Sequence, residues 1–89
     1  MKIKLELFCA SRDFSNKEFL EFNIKQKMEI KDFRKEVINY LDKNFRGNEN
    51  FIKIVKNSVF CSEDNDIISD DFKIIKDQKI GIIPPIGGG

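Results

Sequence analysis

Residues 30–45, IKDFRKEVINYLDKNF, decide the fold, because here the apolar spacing changes from two residues to three and four. The apolar side chains of this stretch are Ile30, Phe33, Val37, Ile38, Leu41 and Phe45. That spacing lines them up on one face of a helix, and charged residues cover the other face. The stretch predicts one amphipathic helix that starts near Glu29, a poor N-cap residue, and ends near Gly47.

Two strands are predicted before this helix. Apolar and polar residues alternate over residues 2–9 and again over 18–26, which is the pattern of strands with one buried face. The polar residues 10–17 form a loop between them, so we expect an antiparallel hairpin. The alternation puts Phe8 on the outer face of the first strand.

Three further strands are predicted after the helix, around residues 51–55, 59–61 and 80–83. The first is apolar and β-branched, and a tight reversal leads into the second. The last is apolar throughout apart from a glycine, which indicates a position in the middle of a sheet. Residues 67–75 give no pattern that we can assign to an element.

The predicted order, β-β-α-β-β-β, indicates an α+β domain over residues 1–83. A single main helix has to bury its stripe on one face of a mixed sheet. This is the layout of a ubiquitin-like β-grasp domain, and the first and last strands are expected in the middle of the sheet.

The composition limits the classes of function. The 89 residues suit one domain, and 16 basic residues nearly balance 15 acidic ones. A general binder of nucleic acid or of anionic membranes would have a basic excess. No apolar stretch is long enough to span a membrane, and the charges near the N-terminus are unlike a secretory signal. We therefore expect a cytoplasmic protein without a nucleic-acid or membrane partner.

The chain has two cysteines, Cys9 and Cys61, and no histidine. This set does not make a common structural zinc site, so no metal is predicted. Reduced thiols at buried or half-buried strand positions are expected, with a disulfide as the alternative. A nucleophilic or sulfur-relay cysteine would need a group that favours the thiolate, and no histidine can serve. The sequence indicates no catalytic machinery in the chain itself.

Residues 84–89, Pro-Pro-Ile-Gly-Gly-Gly, are predicted to form a flexible C-terminal tail. The paired prolines end the last strand, since proline has no N–H for the ladder, and they fix the direction of the chain. Glycine has no Cβ and accepts nearly any backbone conformation. Such a tail suits delivery of a terminal carboxyl into the active site of another protein.

Three segments of the chain resemble the small subunit of molybdopterin synthase, a ubiquitin-like sulfur carrier family. They are residues 7–13, LFCASRD, residues 30–35, IKDFRK, and residues 77–89, DQKIGIIPPIGGG. The likeness spans nearly the whole chain. The sequence departs from the family pattern at Gly87, where Ser or Thr is commoner, and in the longer, more acidic residues 62–74.

The resemblance implies a sulfur-donating subunit that is not itself catalytic. A separate enzyme, similar to ubiquitin-activating enzymes, would use ATP to adenylate the carboxyl of Gly89, and a sulfur donor would convert it into a thiocarboxylate. The chain would then dock on the large synthase subunit, two copies of each, and give its sulfur to a cyclic pyranopterin precursor. Apart from this transient acyl-AMP, no bound cofactor is implied. The tail residues that reach that active site would be Pro84, Pro85, Ile86, Gly87 and Gly88.

Docking on these partners needs a surface, for which Phe8, Arg12 and Ile83 are the candidates. Phe8 and Ile83 would be neighbours if the first and last strands pair in parallel. Arg12 could make a bidentate contact with a carboxylate of the partner. The alternatives are ordinary packing for the two apolar residues and a solvated loop cation for Arg12.

Two other functions fit the same sequence. One is a related carrier that serves thiamine thiazole synthesis or tRNA thiolation, or a protein conjugator; the proline pair favours the synthase subunit. The other is a plain β-grasp binding module whose glycines are only a frayed end.

Overall fold

The computed structural model describes residues 1–85. Its elements, in chain order, are β1 (Lys2–Leu7), a 3₁₀ helix (Cys9–Phe14), β2 (Phe19–Asn23), β3 (Met28–Glu29), α1 (Ile30–Asn44), α2 (Glu49–Asn57), β4 (Val59–Cys61), β5 (Ile67–Ile68), β6 (Lys73–Ile74) and β7 (Gln78–Ile83).

Five strands form one mixed sheet in the order β2-β1-β7-β4-β5. β1 and β7 lie near its middle and run parallel, with Leu5 opposite Ile80. β2 and β4 flank them in antiparallel pairings. The predicted mixed sheet, with its first and last strands near the middle, is confirmed, and these two strands pair in parallel.

The core lies between this sheet and α1. The helix contributes Ile30, Phe33, Val37 and Leu41, all fully buried. The Phe33 ring meets Phe60 of β4 edge-on, with ring centroids 6.0 Å apart. The predicted stripe therefore packs on one sheet face, as the α+β prediction requires.

A capping box starts α1, although Glu29 is a poor N-cap residue by type. The Glu29 side chain accepts a hydrogen bond from the backbone N–H of Asp32, and the Glu29 N–H donates to Asp32 Oδ2 over 3.4 Å. Glu29 also pairs with Lys73 of β6, which holds its backbone extended. A two-stranded sheet thus supplies the geometry that residue type alone does not predict.

The predicted strand at residues 51–55 is wrong, because these residues form most of α2. Asn48 caps the helix: its side-chain oxygen accepts hydrogen bonds from the N–H groups of Asn50 and Phe51, over 3.0 and 3.2 Å. The Phe51 ring packs against Phe14 and Phe45, with centroids 5.0 and 4.9 Å away. The helical cap and this aromatic cluster outweigh the strand preference of a β-branched run.

Arg34 contacts residues 67–75, the segment for which the sequence predicts no element. Its Nη1 donates to the backbone carbonyls of Val55 and Ser58, both at 2.7 Å, and its Nη2 lies 3.0 Å from Asp70 Oδ1. The guanidinium also lies over the Phe60 ring, 4.8 Å from its centroid. One side chain of α1 therefore ties together the end of α2 and the connection between β5 and β6.

Candidate docking face and the base of the tail

The sheet has a second face, which points away from α1 and carries an apolar area. Strand residues alternate between faces, so the neighbours of the buried Phe60 and Ile82 point outward. Register aligns Val59 with Ile83, and Cys61 with both Gly81 and Ile67. We call Phe8, Val59, Cys61, Ile67, Gly81 and Ile83 the outer apolar face.

Gly81 lies at the centre of this face and leaves room for its neighbours. A Cβ placed on residue 81 would lie 2.6 Å from Cys61 Sγ and 2.9 Å from Phe8 Cε2, both closer than real Cβ contacts. Cys61 and the Phe8 ring therefore fill the space that a side chain at position 81 would need. The backbone of β7 at Gly81 is thus covered by Cys61 of β4 and by Phe8, the residue that follows β1.

Because β1 and β7 run parallel, the structure has the pairing on which the predicted proximity of Phe8 and Ile83 depends. Leu7 is opposite Ile82; Phe8 directly follows Leu7, and Ile83 directly follows Ile82. Both side chains are half-buried. Beyond them the face becomes more exposed toward the sheet edge, with Val59 44% and Ile67 63% exposed.

Arg12 lies on the 3₁₀ helix that follows β1. Its Nη2 is 3.3 Å from Glu18 Oε1, and both side chains are largely exposed. An exposed ion pair of this kind contributes little to stability, about 0 to 1 kcal/mol. The guanidinium can therefore exchange Glu18 for a carboxylate of a partner at small energetic cost.

A charged border separates the outer apolar face from the other end of the sheet. Lys79 Nζ lies 3.3 Å from Glu6 Oε2, and Lys4 Nζ lies 4.1 Å from the centroid of the Phe19 ring. These charges already have partners within the chain. The apolar part of this sheet face is thus confined to the end of the sheet where β7 finishes.

The described chain ends two residues after Ile83 of this face, next to α2. Pro84, which the sequence predicts as the first tail residue, is buried, and Pro85 is exposed. Pro85 lines a groove together with Asn50, Lys53, Ile54 and Asn57 of α2. The predicted site residues Ile86, Gly87, Gly88 and Gly89 lie outside the described residues.

Two solved structures have this arrangement of strands and helix. A Pyrococcus furiosus protein assigned as molybdopterin converting factor, subunit 1, matches 96% of this chain and 98% of its own, with a TM-score of 0.69 and 16% identity. SAMP1 from Haloferax volcanii matches the full length of both chains, with a TM-score of 0.67 and 10% identity. This chain has the ubiquitin-like β-grasp fold.

These two structures therefore confirm the predicted β-grasp fold. No protein-family profile matches the sequence, and no curated protein matches it significantly. Within residues 1–85, no helix is both long and apolar enough to cross a membrane. The same residues contain no group of His, Cys, Asp and Glu side chains arranged to hold a metal ion.

The two cysteines of the β-grasp domain differ in environment. Both are free thiols; Cys61 is buried, as predicted for a strand position, but Cys9 is exposed. Cys9 begins the 3₁₀ helix with a positive φ of 52°, and there the chain has already left the strand. Burial raises the pKa of the Cys61 thiol, and a backbone hydrogen bond from Gly81 offsets part of this rise. The protonated thiol is favoured, which argues against Cys61 as a nucleophile.

Four members of the outer apolar face are not among the residues predicted from the sequence: Val59, Cys61, Ile67 and Gly81. Alternation around Phe60 could have placed Val59 and Cys61 together. Gly81, between two buried isoleucines, is a sign of close approach by a neighbouring side chain. Ile67 belongs to a two-residue strand, which is too short to give any periodic signal.

Proposed function

We propose that this chain is a ubiquitin-like sulfur carrier of molybdenum cofactor biosynthesis, the small subunit of molybdopterin synthase. The observation that carries the proposal is the relation between the outer apolar face and the end of β7. Ile83 belongs to the face, and the Pro-Pro-Ile-Gly-Gly-Gly sequence begins at the next residue. A partner that covers this face can therefore receive the residues that follow Pro85.

Two further observations support it. The P. furiosus protein assigned as molybdopterin converting factor, subunit 1, has the same fold over nearly its whole length. Gly87, Gly88 and Gly89 present no Cβ, so a catalytic pocket can close around the backbone at the acyl carbon. The three residue segments that resemble the synthase subunit include both the end of β1 and this tail.

The chemistry requires activation by another protein. An α-carboxyl group titrates near pH ~3.5, so the Gly89 carboxylate is ionised at neutral pH and is a poor acyl donor. On a ubiquitin-activating-like enzyme, a Gly89 carboxylate oxygen attacks the α-phosphate of ATP and pyrophosphate leaves. Sulfide then attacks the acyl carbon, and AMP leaves with that carboxyl oxygen. The product is a thiocarboxylate at Gly89.

The carrier then brings its sulfur to the large synthase subunit. Because Pro84 is buried, at most the five residues from Pro85 onward can extend, and they reach roughly 17 Å, enough to enter a cleft while the domain stays outside. Ordering the backbone costs about 1–2 kcal/mol per residue. Burial of the outer apolar face contributes about 25 cal/mol per Å² and can offset that cost. The chain supplies the sulfur and its delivery, and the large subunit supplies the chemistry on the pyranopterin precursor.

The proposal is tested by reconstitution. The full chain is incubated with the activating enzyme, ATP and sulfide, and then mixed with the large subunit and passed over a gel-filtration column. We expect loading with one sulfur and a stable complex of two copies of each chain. A chain that lacks Gly89 is the control and should fold normally but not load.

The alternatives predict other results. A loaded chain that does not bind the large subunit would instead be a carrier for thiazole synthesis or tRNA thiolation, or a conjugator. A chain that neither loads nor binds would be a plain binding module. Either result would contradict the assignment to molybdopterin synthase.

A further inference from the structure

A groove on α2 lies beside Pro85, the last residue that the structure describes. The other residues that line it are Asn50, Lys53, Ile54 and Asn57. Their spacing of three, one and three positions puts all four on one face of the helix. We call these five residues the α2 groove; none of them belongs to the outer apolar face.

The α2 groove combines one apolar, one cationic and two amide side chains. Ile54 is half-buried and packs against the core, whereas Lys53 is exposed. Within residues 1–85, Lys53 makes no ion pair, not even with Glu49 one turn earlier. Asn57 Nδ2 donates to the Lys53 carbonyl over 2.9 Å, which leaves the side-chain oxygen of Asn57 able to accept from a backbone N–H. The groove therefore suits a short peptide segment with one apolar side chain and an anionic end.

The course of β7 leads the chain along this groove. β7 runs antiparallel to β4 with Ile83 opposite Val59, and α2 ends at Asn57, just before β4. A chain that continues past Pro85 in the same direction therefore passes α2 from its C-terminal end toward its N-terminal end. From Asn57 to Asn50 the helix rises about 10 Å, and four extended residues span at most ~14 Å. The four residues that follow Pro85 are thus long enough to cover the groove.

We propose that the α2 groove holds the C-terminal tail of its own chain whenever no partner has taken that tail. Ile86 packs against Ile54 there, and the terminal carboxylate lies at the Lys53 ammonium. This inference rests on the proposed function, in which Gly89 carries the terminal carboxylate. It adds a second docking surface to the domain, with the tail itself as the occupant.

Three properties of the tail select it as the occupant. Ile86 is its one apolar side chain beyond Pro85, and the rest is glycine backbone whose N–H groups can donate to the groove. Its anionic end complements Lys53. The tail is attached at Pro85, so its effective concentration at the groove is in the ~mM range, which favours it over a separate protein or a second copy.

The consequence is that the tail exchanges between the groove and a partner. Only chains whose tail has left the groove can bind it into the active site of the activating enzyme or of the large subunit. The apparent affinity of either partner is therefore reduced in proportion to the fraction of chains with a released tail.

A zero-length cross-link on the full chain alone tests the contact. A carbodiimide converts the Gly89 carboxylate into an O-acylisourea, the Lys53 amine attacks its acyl carbon, and the urea leaves. Digestion then releases a branched peptide that joins the tail to α2, and mass spectrometry identifies the lysine. Lys56 is the internal control, because it is exposed three residues further along α2 but does not line the groove.

Two tail variants separate a held tail from a free one. Ile86→Ser removes the apolar contact, and Gly87→Ser is the matched control, since it adds the same hydroxyl one residue later and keeps Ile86. We expect the wild type to link Gly89 mainly to Lys53, and we expect Ile86→Ser to lower this yield about tenfold. The Gly87→Ser control should link as the wild type does.

Four results would overturn the inference. They are equal linkage to Lys53 and Lys56, an Ile86→Ser yield equal to that of the wild type, an equal loss in Gly87→Ser, and a link that joins two copies of the chain. A mixture of ¹⁵N-labelled and unlabelled chains detects the last of these, because a link between copies then joins a labelled peptide to an unlabelled one.

Loading with sulfur, followed separately by mass, distinguishes this inference from the proposed function. A chain that forms the Lys53 link but is never loaded by the activating enzyme contradicts the sulfur-carrier function and leaves the groove standing. A chain that is loaded but gives no preferred link to Lys53 contradicts the groove and leaves the function standing.

Discussion

The aromatic ring of Phe8 lies on Gly81, so close that a Cβ at residue 81 would be 2.9 Å from Phe8 Cε2. Cys61 closes the same space from the other side, with its Sγ 2.6 Å from that position. Side chains from β4 and from the residue that follows β1 therefore meet at one glycine of β7 in the middle of the outer apolar face. The shape of the proposed docking surface depends on the absence of a side chain at residue 81.

Gly81→Ala should destabilise the domain by about 1–2 kcal/mol, because an added methyl group overpacks this contact. The half-buried Phe8 ring can move outward, which limits the loss, but the buried Cys61 cannot. Urea unfolding measures the change. In a Cys61→Ala background, which removes the nearer of the two atoms, the same substitution should be less harmful. Equal losses in both backgrounds would contradict the contact.

The two thiols should react at very different rates. Cys9 is exposed, whereas Cys61 is buried with a pKa raised by that burial. A thiol-alkylating reagent at mildly alkaline pH should therefore modify Cys9 first, since the thiolate is the reactive form. A Cys9→Ser variant should react slowly until urea unfolds it. Rapid alkylation of that variant in the folded state would show that Cys61 is accessible.

Arg34→Ala should destabilise the domain by about 2–4 kcal/mol. The substitution removes the Arg34 donor from the Ser58 carbonyl and one of two donors from the Val55 carbonyl, which keeps the Ser58 N–H, and it leaves Asp70 without its cation. Arg34→Lys should restore little, because an ammonium group lacks the planar fork that reaches all three acceptors. Lys35→Ala, the exposed neighbour on the same helix, is the control for urea unfolding. If Arg34→Ala lowers the free energy of unfolding no more than Lys35→Ala does, Arg34 does not stabilise this part of the fold.

Val59→Glu should weaken binding to the large synthase subunit at least about tenfold, since a charge would be buried in the centre of the interface. Val59 is 44% exposed, so the free domain should tolerate the change. The matched control is Ile75→Glu, at an apolar residue that is 56% exposed and lies next to β6 rather than on the outer apolar face. Isothermal titration calorimetry measures both. An equal loss of affinity in the Val59→Glu and Ile75→Glu variants would disprove a specific role for the outer apolar face.

The elements with long, regular patterns could be predicted from the sequence. The helix stripe, the first hairpin and the central position of the last strand followed from spacing and composition. α2 could not be identified in the same way, because the apolar and β-branched run of residues 51–55 fits a strand. The Asn48 cap and aromatic contacts with residues distant in sequence stabilise the helix instead.

The candidate site was predicted in part, and the reason is physical. The sequence names Phe8 and Ile83 as neighbours if the first and last strands pair in parallel, and the structure has that parallel pairing up to Leu7 and Ile82. Val59 and Ile67 belong to the outer apolar face only because two short strands, β4 and β5, pair there. Tertiary contacts set that pairing, and no local sequence pattern predicts it. The exposure of Cys9 depends on a positive φ, which its sequence neighbours do not signal.

The most direct test of the account locates the sulfur on the chain. The full chain is incubated with the activating enzyme, ATP and sulfide, then digested, and the C-terminal peptide is analysed by mass spectrometry. One oxygen of this peptide should be replaced by one sulfur, and fragmentation should assign that sulfur to Gly89. A C-terminal peptide of unchanged mass, or sulfur found on Cys9 or Cys61 instead, would contradict it.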